Sequence, residues 1–292
     1  MRKGQRKVIA LFIMPAFIMY GVFMVYPYIR AFYIGLTDWR GVSTQMSFIG
    51  LENFWTMLHD PYFWNALKNT SFFTVTNGTI VPVIALFFAV VMSRRLVWGA
   101  RFFRIMYFFP NLISVVAIAV LWSFVLNPDF GILTNFLRIL GMKSLPAWLG
   151  SVKTAPWCIV AVKVWAAVGF YMILYLSALE GIPTDLYDAA KIDGASEWKA
   201  FWHVTLPLLS EIMKVTVVFL LLNGFGTFAV VKIMTDGGPN RSTETMATYL
   251  YDNAFKFGKF GYATAIAIAL FLITFVLALL SIRLQKRETV QY

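Results

Sequence analysis

Two groups of residues stand apart in a 292-residue chain of which only 13% is charged. The first is acidic. Six of its 14 Asp and Glu residues (Glu180, Asp185, Asp188, Asp193, Glu197 and Glu211) fall between positions 180 and 211. The second is a set of polar side chains inside apolar runs: Lys163, then Asn223 and Thr227. Each suggests its own chemistry. The acids outnumber Lys191 and Lys199 within their stretch. A helix lying on anionic lipid prefers Lys and Arg on its polar face, so an acidic face suits docking to another protein better. A lysine in hydrocarbon costs a few kcal/mol and is a functional candidate by default. On helices, Lys163, Ala167 and Phe170 share one face by i, i+4, i+7 spacing, and Asn223 and Thr227 share another with Gly224 between them. Polar groups, small gaps and an aromatic face suit a ligand whose hydroxyls need hydrogen bonds and whose C–H faces stack on rings.

Other chemistries lack their residues. No nucleophile–base arrangement or paired carboxylate stands out within the apolar runs. His59 and His203 are far apart, so no metal-ligand spacing is visible. The single cysteine, Cys158, cannot form an internal disulfide and reads as packing. No G-x-x-x-x-G-K-[ST] phosphate cradle occurs, and the nearest run, Gly141-Met142-Lys143-Ser144, has the wrong spacing. A net charge of +11 could suggest nucleic acid, but no basic stripe interleaved with stacking aromatics is present, so nucleic-acid binding is not expected.

The elements that must position these residues are membrane helices. The chain is 60% apolar, against roughly 45–50% in soluble domains. Six runs reach the ~20 residues that span a bilayer: 8–29, 71–92, 105–126, 156–179, 211–231 and 261–282. The first is longer than a signal-peptide core and no A-x-A site follows it, so it reads as an uncleaved anchor. Six spans place both termini on one side. Lys and Arg are about twice as dense there, with Arg94, Arg95, Arg101 and Arg104 clustered, which makes that side the cytoplasm.

The loop 180–210 then faces the cytoplasm. Pro183-Thr184-Asp185 signals a helix start, with Leu186, Ala189 and Ala190 expected on one face of a helix 185–192. Gly194 supplies a corner, Ser196 caps a second helix bearing Trp198, Phe201 and Trp202, and Pro207 suits the break before the fifth span.

Here the residues resemble a known family. Asp188-Ala189-Ala190, three residues, Gly194, nine residues, Val204-x-Leu206-Pro207 matches the EAA---G---------I-LP motif of ATP-binding-cassette importer permeases at five of seven positions. The departures are Asp188 for Glu and Val204 for Ile. Phe48-Ile-Gly50-Leu-Glu52-Asn-Phe54, Asn65-Ala-Leu-Lys-Asn69-Thr70 and Thr235-Asp-Gly237-Gly-Pro239-Asn-Arg-Ser-Thr243-Glu-Thr245 look like the sugar-type branch, the maltose/oligosaccharide and glycerol-phosphate permeases. The resemblance covers nearly the whole chain. It implies an all-α membrane protein with the type I importer permease fold, in one domain over residues 1–292. It further implies that Asp188–Phe201 is the coupling helix, with Asp188, Ala189, Ala190, Asp193, Gly194, Leu206 and Pro207 as the residues that couple to an ATPase.

By the same resemblance the chain sits in a bacterial inner membrane and is not itself an enzyme. It binds no cofactor, since ATP and Mg belong to two copies of a partner ATPase. A second permease subunit completes the pore, an extracytoplasmic binding protein delivers a carbohydrate, and lipid surrounds the helices. The cargo passes by alternating access. Lys163, Ala167, Phe170, Asn223, Gly224 and Thr227 are the candidate lining of its path. Bland readings stand beside this one: Lys163 snorkels to the headgroups, and Asn223 and Thr227 are interhelical hydrogen bonds with Gly224 and Gly226 allowing close packing. A glycerol-phosphate or polyol cargo is the alternative within the family. An ion-coupled secondary transporter is the alternative outside it, and that would need inverted repeats and paired intramembrane carboxylates, which are not visible.

Overall fold

A computed structural model describes residues 3–42, 45–93, 99–142 and 144–284, with side chains from residue 11 onward. Lys143, Arg94 and Arg95, the last two from the expected basic cluster, lie outside the described residues. The described chain is helical, and its strand-like pairing is the isolated antiparallel bridge Thr37–Phe48. Four helices are long and apolar enough to cross a membrane: Leu11–Ile34, Pro61–Ser93, Ala155–Glu180 and Phe260–Leu284. Two bent pairs raise the number to six if each is one span.

The expected spans need two corrections. The run 105–126 is no single helix: α5 (Ala100–Leu112, counting earlier helices in chain order) meets α6 (Val115–Val125) at 100°. Ile113 and Ser114 between them have ψ of 140° and 134°, so two extended residues turn the chain after Pro110. The run 211–231 also breaks. Helix α12 (Ser210–Phe225) ends at Gly226, and Ala229–Val231 belong to a separate helix α13 (Ala229–Met234).

A π turn lies just ahead of Pro27 in the first span. The first span runs α1 (Lys3–Tyr20), a π turn Gly21–Val25 and α2 (Tyr26–Ile34). The Tyr26 N–H donates to Gly21 O, one residue ahead of Pro27. The widened turn holds a ring that otherwise clashes with the carbonyl four residues back.

By its internal contacts the chain divides into two compact units, Met1–Phe63 with Tyr249–Leu272, and Trp64–Thr248 with Ile273–Tyr292. In the first, α3 (Glu52–Leu58) carries Asn53, whose Nδ2 donates to Gly35 O (3.0 Å) and Thr37 O (2.8 Å). Asp60 caps α4 (Pro61–Ser93): Oδ1 accepts from the Tyr62 N–H at 2.9 Å, and Oδ2 accepts from the hydroxyls of Tyr262 (2.6 Å) and Tyr249. Burial raises the Asp60 pKa, but the bonds from Tyr249, Tyr262 and the Tyr62 and Phe63 amides outweigh it and hold the carboxyl below its ordinary value. Burial and Asp60 push the Tyr249 hydroxyl up to about 12.

The second unit is organised on α8 (Ala155–Glu180), which packs on α5, α6, α12 and α13. A Cβ on Gly169 would lie 1.8 Å from Tyr107 O, so only glycine lets α5 approach this closely. Two apolar clusters flank the axis. One joins Val81, Ala85 and Ala89 of α4 to Met172, Tyr175 and Leu176 of α8 and Leu220 of α12. The other joins Phe73 of α4 and Ile118 of α6 to Ile159 and Val162 of α8 and Val231 of α13.

Candidate functional site

The acidic loop folds as two arms around a glycine corner. Extended Pro183 (ψ 134°) starts α9 (Thr184–Ile192), one residue earlier than the spacing indicates. Gly194 has φ +74°, and the Ala195 N–H returns to Ala190 O at 2.9 Å, the closing bond of a glycine-terminated helix. Ser196 Oγ then accepts from the Lys199 N–H (3.4 Å) at the start of α10 (Glu197–Ala200). A π turn, Phe201–Thr205, leads into α11 (Leu206–Leu208). The helix therefore runs through Pro207, and the expected break comes after Leu208, with a 63° bend into α12. The Tyr187 hydroxyl and Thr205 Oγ1, 3.1 Å apart, tie the arms together.

What this element shows to its surroundings decides what it can do. Asp185, Asp188, Ala189, Asp193, Gly194 and Pro207 are exposed, while Ala190 and Leu206 are half-buried. Ala189 thus faces outward, not inward with Leu186, because Leu186, Tyr187 and Ala190 form the inner face. Asp185, Asp188 and Asp193 have no side-chain partner among the described residues. Beside them Ile192 is 87% and Trp198 is 68% exposed. Acids without side-chain partners mixed with large exposed apolar side chains make a surface of the chemistry that suits a protein partner. At the loop's start, Arg104 Nη2 of α5 donates to Glu180 Oε1 at 2.7 Å.

The polar residues of the apolar runs come together. Lys163, Ala167, Phe170, Asn223, Gly224 and Thr227 all line one cavity of about 520 Å³ among α4, α8, α12 and α13. Lys163 Nζ donates to Thr227 Oγ1, which in turn donates to Gly224 O at 2.7 Å. Asn223 Nδ2 donates to Phe219 O at 2.9 Å. Lys163 therefore points inward to the break between α12 and α13, and the snorkelling reading is not the one the geometry takes. Close packing is also real: a Cβ on Gly224 would sit 2.5 Å from Thr74 Oγ1.

The sequence reading missed Asn77, Asn111, Tyr171 and Phe228, which line the same cavity. Asn77 is 5% exposed; its Nδ2 donates to Phe73 O at 2.8 Å, and its Oδ1 has no partner among the described residues. An amide inside an uncharged run was the visible signal for Asn77 and for Asn111. The lining holds a cation, amides, hydroxyls and rings, with no carboxylate. It can hydrogen-bond and stack a polar ligand, and it offers no general acid–base pair. Among the described residues no group of His, Cys, Asp or Glu could hold a metal ion.

The chain is 37% identical over 290 residues to the probable ABC transporter permease protein YurN of Bacillus subtilis, covering 97% of this chain and 98% of that one. It is 34% identical to the diacetylchitobiose uptake system permease protein NgcF of Streptomyces coelicolor, over 89% of this chain and 76% of that one. Its fold superposes on a chain of a bacterial ABC transporter that imports the acidic polysaccharide alginate, with a TM-score of 0.85 and 22% identity over 98% and 97% of the two chains. Residues 69–289, which include the cavity and the acidic loop, match the family described as binding-protein-dependent transport system inner membrane component. With that match and relatives of this length and identity, the chain belongs to that family, as a sugar-type ABC importer permease.

Proposed function

We propose that this chain moves a saccharide through the cavity around Lys163, driven by a separate ATPase that grips the loop Thr184–Pro207. The observation that carries the reading is the division of polar groups. Those around the cavity point inward, and Asp185, Asp188 and Asp193 of the loop are exposed with no side-chain partner among the described residues. Lys163 and the Tyr171, Asn77 and Asn223 side chains supply donors and acceptors for hydroxyls, and Phe170 and Phe228 supply stacking faces.

In this reading Asp188, Ala189, Ala190, Asp193, Gly194, Leu206 and Pro207 transmit movement from the ATPase, and ATP and Mg stay in that partner. A second permease completes the pore and a binding protein delivers the cargo from outside. Both termini and the loop are cytoplasmic, in keeping with the density of Lys and Arg. The alginate transporter is known with a pentasaccharide-bound periplasmic protein, and NgcF serves diacetylchitobiose uptake. Those relatives favour an oligosaccharide cargo.

The test is to solubilise the chain from its native membranes and identify what purifies with it. An ATP-binding-cassette ATPase and a second permease are expected. Uptake by proteoliposomes of this chain alone, with an ion gradient and no ATP, would overturn the reading.

A further inference from the structure

The cavity lysine is held from outside the cavity. Helix α12 ends at Phe225, and a break leaves backbone carbonyls without helical partners. One of these, Thr227 O, accepts from Thr245 Oγ1 at 2.7 Å. Thr227 Oγ1 is the acceptor for Lys163 Nζ. Thr245 itself is fully buried and lines no part of the cavity.

Thr245 is in turn fixed by bonds on both sides of it in the chain. The Thr245 N–H donates to Thr248 Oγ1 at 2.8 Å, and the adjacent Met246 N–H donates to Thr70 Oγ1 of α4 at 2.9 Å. Upstream, Asn69 Nδ2 of α4 donates to Arg241 O (2.9 Å) and Glu244 O (3.0 Å), and Asn65 Nδ2 also donates to Arg241 O (2.9 Å). Arg241 forks onto the Glu244 carboxylate at 3.0 and 3.1 Å, with the Glu244 side chain 8% exposed. A turn clamped this often to one helix is a rigid reference point. Lysine is among the side chains with most rotamer freedom to lose, so its position is set by what its hydroxyl partner is bonded to.

We propose that Thr245 is a positioning residue for Lys163, acting through Thr227, and that the turn 235–245 thereby sets the geometry of the cavity. The consequence for cargo rests on the cavity being the passage, but the positioning itself does not.

The test is to label the purified permease–ATPase complex with acetic anhydride and follow each lysine by mass spectrometry. In Thr245→Val, which keeps the β-branched shape, Lys163 acetylation is expected to rise about three- to tenfold, the worth of one lost hydrogen bond. Lys68 and Lys232 should keep their wild-type rates. Thr245→Ser, which restores the hydroxyl, should return Lys163 to the wild-type rate. An unchanged Lys163 rate in Thr245→Val overturns the inference, and so does a rise shared by all lysines or a failure of Thr245→Ser to restore. Uptake by Lys163→Met separates the two readings. If uptake there is normal, the cavity is not the passage; if it is impaired and the labelling of Thr245→Val is unchanged, the positioning inference alone fails.

Discussion

The cavity and the acidic loop use their polar side chains in opposite ways. Around the cavity the polar side chains bond within the protein: Lys163 to Thr227, Thr227 to Gly224, Asn223 to Phe219, and Thr245 to Thr227 from behind. In the loop, backbone and capping groups are satisfied locally, while Asp185, Asp188 and Asp193 project with no side-chain partner among the described residues. A polar group in a packed interior must find a partner or be costly. One at the surface can wait for a partner from another molecule. Most cavity donors are thus bonded within the chain, and the three aspartates of the loop are left for a partner from outside it.

That contrast is easiest to break at the loop. Reversing its charge with Asp188→Lys should abolish ATP-driven uptake, a loss of about 100-fold or more if a close interfacial charge pair is replaced by repulsion. The chain should remain in the membrane at its usual level, as membrane fractionation would show. Next in size, Gly169→Leu forces a side chain into the Tyr107 carbonyl and should separate α5 from α8. Overpacking of this kind costs about 1–3 kcal/mol and more where backbone blocks the way. Thermal unfolding of the purified complex should show the loss, with the loop sequence untouched.

Smaller is Lys163→Met, expected to raise the half-saturating cargo concentration by about tenfold while the permease still assembles with its ATPase. Uptake curves and co-purification, read together, check it. Smallest is Asp60→Asn, in neither region. The Asp60 carboxyl is held below its ordinary pKa, so its contribution to stability is present above the unfolded-state value near 4 and is lost as pH falls through the folded value. The variant should lower the melting temperature by about a few degrees at neutral pH and flatten the acid limb of the stability profile, with uptake unchanged.

Much of this was legible in the residues, for reasons of scale. Spans are recognised by some 20 consecutive apolar residues, and the runs 71–92, 156–179 and 261–282 fall inside α4, α8 and the last helix. Periodicity also placed Lys163, Ala167 and Phe170 on one face, and that face lines the cavity. Three features were not legible. The 100° turn at Ile113–Ser114 rests on two backbone dihedrals, which composition does not report. Pro207 sits beyond a π turn that absorbs it, so the rule that proline breaks a helix mislocated one bend. Asn77, Asn111 and Tyr171 join the cavity through pairings between distant segments, which local spacing does not encode.

The proposal to test is that a separate ATPase drives this chain through its acidic loop. The most direct measurement is the amount of that ATPase retained when wild-type, Asp188→Lys and Lys163→Met chains are purified in parallel from membranes. The account predicts equal retention by wild type and Lys163→Met, and loss from Asp188→Lys. Full retention by Asp188→Lys together with undiminished ATP-driven uptake would contradict it.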